Sequence, residues 1–222
     1  MRPVIASAPA LLAVASVAFI TGCGESTPSA EPDEAVVDAV TTETVAATAP
    51  VPEPAAPAPV LSAQDQFFAS LSELCDTSYT GYLTVGTEPS DRDIGEAALS
   101  MHVRDCSKDA IDIAFHVGDD HSRTWQLRRD DGGLSLHHDH RDPDGTPHDP
   151  TGYGGRTRDD GTPRRQAFAV DDATVAALPA ARGNVWALEI QSGQVLAYDL
   201  ARPADDRYFR VEFDLSTPTN LP

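Results

Sequence analysis

Apolar and polar side chains alternate along most of the chain beyond residue 98. Leu99, Met101 and Val103 share one face, against Ser100, His102 and Arg104. Ile111, Ile113, Phe115 and Val117 alternate with Asp112, Ala114 and His116. Trp186, Leu188 and Ile190 repeat the pattern, as do Leu196, Tyr198 and Leu200, and Phe209, Val211, Phe213 and Leu215 stand opposite Arg210, Glu212 and Asp214. A strand with one buried face requires this period of two, because successive side chains point to opposite sides. Turn residues join the neighbours: Asp131-Gly132-Gly133 between strands near 123–129 and 134–140, and Ser192-Gly193 between 185–190 and 195–200. The pattern predicts a mainly β domain, an antiparallel meander of eight or nine short strands forming a barrel or half-barrel, with a sandwich as the second choice.

One helix precedes the strands and is expected to pack on them. Ser62 can cap it, with Asp65 three residues on, and Phe67, Phe68, Leu71, Leu74 and Cys75 fall at the spacing of a buried helical stripe. A weaker helical piece covers 172–178, ended by Pro179. Residues 141–165 hold two Asp-Gly-Thr-Pro copies, at 144–147 and 160–163, and read as one long loop.

The N-terminal part has a different character. Arg2 is followed by an uncharged, Ala-, Val- and Leu-rich run over 4–20. Ile20-Thr21-Gly22-Cys23 then resembles the bacterial lipobox: an aliphatic residue, two small residues and a cysteine. The resemblance to bacterial lipoproteins implies that residues 1–22 are a cleaved signal peptide. It also implies that Cys23 carries palmitate-type acyl chains and becomes the first mature residue. Gly24 is not the Asp that retains such proteins in the inner membrane, so the expected location is the outer membrane, with the domain facing the periplasm. Residues 23–62 form a Pro-, Ala- and acid-rich tether without Lys, Arg or an aromatic side chain, expected to be disordered. Residues 63–222 remain for a single β-rich domain.

Charge excludes some partners. The chain has 35 acidic and 16 basic side chains, a net charge of −19. Phosphate backbones need a basic face, so nucleic acid is not an expected partner, and the membrane is expected to be reached through the lipid rather than through surface charge. Besides Cys23 the chain has Cys75 and Cys106, which an oxidising compartment favours as a disulfide stapling the helix to the sheet.

The common catalytic and metal-binding motifs are missing from the sequence. A histidine concentration remains, with all seven between His102 and His148. On a strand, His138 and His140 share one face and His137 and Asp139 the other. An H-x-H pair can give two imidazoles to Zn²⁺, with His102 or His116 as a third ligand and Asp139 behind. His102, Arg104, His116, Arg123, His138 and His140 therefore make one candidate ligand or metal face, whose arginines suit a small anionic ligand. His138 is set apart by sharing its parity with Leu134 and Leu136. The loop acids Asp142, Asp144, Asp149, Asp159 and Asp160 do not follow the spacing of a Ca²⁺ loop.

The stretches at 115–125, 136–141 and 153–155 resemble a group of exported Gram-negative bacterial proteins without an established activity, a likeness covering most of 64–216. It implies export and transfers no catalytic residue. The expected function is a membrane-anchored, non-catalytic binding module for a small anionic ligand or an envelope protein. The alternative is a metal- or His-dependent periplasmic enzyme using the 137–140 region.

Overall fold

A computed structural model describes residues 60–219. The expected lipid attachment at Cys23, the signal peptide and most of the tether lie outside the described residues. Ten antiparallel strands run in chain order: β1 (Thr77–Gly86), β2 (Leu99–Arg104), β3 (Ala110–Val117), β4 (Asp120–Asp130), β5 (Gly133–His140), β6 (Tyr153–Arg156), β7 (Arg165–Val170), β8 (Val185–Gln191), β9 (Val195–Arg202) and β10 (Arg207–Asp214). Each pairs with the next, and β10 returns to pair with β1, so the sheet is a closed barrel. The mainly β meander anticipated from alternation is the observed fold, with a slightly larger strand count.

The loop read over 141–165 contains β6. Gly154 and Gly155 allow it, because a Cβ on them would lie 2.1 Å from the carbonyl oxygens of Leu136 and Ala169 respectively. Only bare backbone fits between β5 and β7 there.

Among the described residues three α-helices accompany the barrel. Helix α1 (Ala63–Ser72) starts at Ser62, whose Oγ accepts from the Asp65 backbone N–H, and it buries Phe67, Phe68 and Leu71 in the core. The Arg129 guanidinium lies 4.4 Å above the Phe68 ring and 3.0 Å from the Asp65 carboxylate. Cys75 and Cys106 are disulfide-bonded with Cα atoms 6.3 Å apart, joining the segment after α1 to the β2–β3 turn. These contacts fix α1 at the end of the barrel where the β2–β3 and β4–β5 connections gather. Helix α3 (Asp172–Ala177) is capped by Asp171, whose side chain accepts from Thr174 N–H.

Helix α2 (Ser90–Glu96) has no side-chain cap and holds one large apolar residue, Ile94. Its anchor is tertiary. Asp91 is buried and takes the Arg207 guanidinium bidentately at 2.5 and 2.7 Å. The helix belongs to the β1–β2 connection, at the opposite end of the barrel from α1.

Interior positions are apolar: Met101, Val103, Ile111, Ile113, Leu127, Leu134, Leu136, Leu188, Leu196, Val211 and Phe213 are all fully buried. The outer face carries ion pairs such as Arg128–Asp112 at 2.5 Å and the group Arg165, Glu189, Asp199, Arg210 and Glu212. This is an apolar-in, charged-out barrel, the reverse of a barrel that faces lipid.

Candidate functional site

The site is built where the apolar interior meets the open end of the barrel. Cross-strand pairing places Phe115 opposite Arg123 and Arg123 opposite His140. One layer deeper, Trp125 pairs with His138 and His138 with Tyr153. Alternation puts all six side chains inside the barrel, and Tyr198 and Phe209 arrive from β9 and β10.

These side chains line an open-mouthed cavity of about 150 Å³. Its wall is a row of stacked rings. Phe115 and Trp125 lie 4.8 Å apart with planes at 20°, and Trp125 and Tyr198 lie 4.3 Å apart at 7°. His138 stacks on Tyr153 at 4.8 Å. Asp91 and Ile94 of α2 border the opening, together with Arg207.

His138 is 3% exposed and both of its ring nitrogens are taken. Nδ1 lies 3.2 Å from the Tyr153 carbonyl, which can only accept, so Nδ1 carries the proton. Nε2 therefore accepts from the Tyr198 hydroxyl at 2.8 Å. Burial pushes the imidazole down to about 3, against the upward pull of the Tyr153 carbonyl, so it is neutral at ordinary pH. Burial likewise raises the Tyr198 phenol well above its usual range. This pair shapes the floor of the cavity and has no proton to exchange near neutrality.

His140 sits higher, with Nε2 3.3 Å from the Tyr153 hydroxyl. Burial first, then the neighbouring Arg123 and His148, lowers its pKa. Arg123 is the cation at the rim. Among the described residues its one side-chain partner is Asp120, reached through Nη1. Burial works to raise the Asp120 carboxyl, but the Ser122 hydrogen bonds and Arg123 outweigh it and bring it to about 2. Arg207 differs in having all three guanidinium nitrogens engaged, by Asp91, Glu88, Thr87 and the Tyr208 carbonyl.

Arg123 and His140 also line a second, polar cleft of about 630 Å³, whose walls include Asp120, His121, Arg141, Asp142 and His148. The aromatic cavity and this wider charged cleft thus share one arginine and one histidine in their walls.

The six-residue face read from sequence is divided by the barrel wall. Arg123, His138 and His140 project inward. His102, Arg104 and His116 lie on the outer side, on the parity of Ser100, Ala114 and Asp112. There His116 stacks on His121 at 3.9 Å, and Arg104 reaches the Thr124 hydroxyl at 3.2 Å and Asp105 at 3.4 Å. The register of β2 and β3 keeps His102 and His116 on that side, away from His138 and His140. The expected single face is therefore split three and three across the wall. His137 faces outward and meets Asp171 at 3.0 Å. Among the described residues no group of three or more His, Cys, Asp or Glu side chains is placed to hold a metal ion.

Sequence reasoning missed Trp125, Tyr153, Tyr198, Arg207 and Asp91 as site residues. On an alternating apolar face Trp125 and Tyr198 look like ordinary core. The available signal was the parity of His138 with Leu134 and Leu136, which assigns that histidine to the interior.

No protein-family model, curated protein or solved structure matches this chain.

Proposed function

We propose that the protein is a lipid-anchored envelope protein whose barrel is a non-catalytic binding module for a small ligand. Cys23, following Ile20-Thr21-Gly22, is the lipid attachment point, and the outer membrane, with the domain in the periplasm, is the location. The net charge of −19 opposes nucleic acid as a partner.

One observation carries the binding reading: the ring-lined cavity of about 150 Å³ at the barrel end, bordered by Arg123 and His140, which also line a larger charged cleft. Binding sites commonly combine an apolar enclosure with a few placed polar groups. The rival reading, a metal- or His-dependent enzyme using residues 137–140, has less support. His138 is neutral with both nitrogens occupied, and His137 points to the outer face.

The chain has two tryptophans, Trp125 in the cavity wall and Trp186 with its ring 5.3 Å from His138, so indole fluorescence reports on the site. Titration with a panel of small cyclic molecules is expected to give a saturable change that Leu200→Phe, which fills the cavity, removes. A panel without effect on the wild type, or an effect indifferent to Leu200→Phe, overturns the binding reading. Cys23→Ser is expected to block lipid attachment and processing at this site. Wild-type protein in the soluble fraction with no added N-terminal mass overturns the anchor.

A further inference from the structure

We propose that the ligand is a small aromatic carboxylate, its ring in the cavity and its carboxylate on Arg123; this rests on the binding reading above.

Size selects the ring. About 150 Å³ is the volume that holds a single benzene ring, and the aromatic lining suits a ring as guest, met by Trp125 at its edge because Phe115 and Tyr198 cover its faces. The rest of the ligand then lies at Arg123 and His140, which border both the cavity and the polar cleft.

Unused bonding capacity selects the carboxylate. Two arginines border the cavity. Arg207 is saturated by the clamp on α2 and serves to hold that helix over the opening. Arg123 meets Asp120 through Nη1, which leaves Nη2 and Nε without a side-chain partner among the described residues. That free edge of a guanidinium matches a carboxylate with two parallel hydrogen bonds. His140 beside it has its pKa lowered, so it offers hydrogen bonding as a neutral ring and leaves the positive charge to Arg123. Spacing agrees. Arg123 stands two residues from Trp125 on the same strand, about 6.8 Å, which suits a carboxylate joined to the ring directly or through one carbon.

Asp120 sets the strength of the site. Its carboxylate holds Arg123 at the rim, yet it repels an incoming anion. Removing the Asp120 charge should therefore tighten binding, whereas removing the Arg123 charge should loosen it.

The test uses phenylacetate, its neutral isostere phenylacetamide, and acetate, titrated into the folded barrel with indole fluorescence and NMR shifts as readouts. Wild type is expected to bind phenylacetate about tenfold more tightly than phenylacetamide, and acetate more weakly than either. Arg123→Gln should remove the difference between the two ring compounds by weakening phenylacetate alone. Asp120→Asn should strengthen phenylacetate several-fold, about as expected for loss of one like charge near the site. Should Arg123→Gln fail to fold, the direction of the Asp120→Asn change decides. Equal affinities for the two ring compounds, or no strengthening in Asp120→Asn, overturn the carboxylate assignment and leave the cavity reading in place. Acetate binding as tightly as phenylacetate overturns the role of the ring. Indifference to both ring compounds overturns this proposal, and the wider panel then decides the binding reading.

Discussion

Replacing His138 by Gln should flatten the acid sensitivity of the fold. The folded imidazole is held at about 3, below its ordinary 6.5, by burial among Trp186, Tyr153 and Tyr198. Across that interval the unfolded chain binds a proton that the folded chain refuses. Stability from this group is therefore complete above the ordinary value and declines as pH falls toward the folded one. At ~1.4 kcal/mol per pH unit the whole window corresponds to about 5 kcal/mol, and about 3 kcal/mol is already lost by about pH 4. That is a large share of the ~5–15 kcal/mol that holds an ordinary domain together. His140 and His116, both lowered first by burial, push in the same direction, while Asp120 acts only below the carboxylate range. Gln is a suitable replacement, because its amide can donate to the Tyr153 carbonyl and accept from the Tyr198 hydroxyl without titrating. Urea unfolding of both proteins at neutral pH and at about pH 4 measures the difference, and the variant should lose about 3 kcal/mol less than wild type over that interval. Parallel pH profiles would show that His138 is not the acid-labile group.

Two further outcomes follow from the staple and the outer ion pairs. Reducing Cys75–Cys106, which closes a separation of 31 residues, should cost about 3–4 kcal/mol, and an unchanged melt in reductant would remove the staple from the account of stability. Asp199, whose side chain is 2% exposed between Arg165 and Arg210, should cost about 1–3 kcal/mol as Asp199→Asn, less than a fully broken buried pair because both arginines keep Glu189. Thermal melting reads this, and a neutral or stabilising result refutes the role of the carboxylate.

Alternation made the barrel legible because each strand buries one face against a shared apolar interior. Strands β2, β3, β5, β8, β9 and β10 all carry it, and Ser62 marked the start of α1. What stayed hidden depends on partners distant in sequence. Strand β6 is four residues long, two of them Gly154 and Gly155, and its evidence lies in the backbones of β5 and β7. Helix α2 exists through Asp91 and Arg207, 116 positions apart. The candidate face failed for a related reason. His102 and His116 share an outer parity, but Arg123 belongs to the parity of Trp125 and Leu127, which the β3–β4 register sets opposite Phe115 and Ile113 on the inner side. Aromatic side chains on the buried parity gave no hint that part of their surface lines a cavity.

The β1–β10 seam has a consequence for how the molecule is made. Nine of the ten pairings join consecutive strands, whereas the seam brings Tyr82 beside Glu212, 130 positions away. Nearby hairpins zip early, and contacts between distant segments form later. A nascent chain emerging N-terminus first can thus assemble an incomplete sheet, but it exposes two bare edges to any other extended chain until residues 207–214 arrive. Those same residues bring Arg207 and Phe209 to the open end of the barrel. Protection from aggregation and competence to hold a guest therefore begin in one event, and a polypeptide truncated before that strand would lack both.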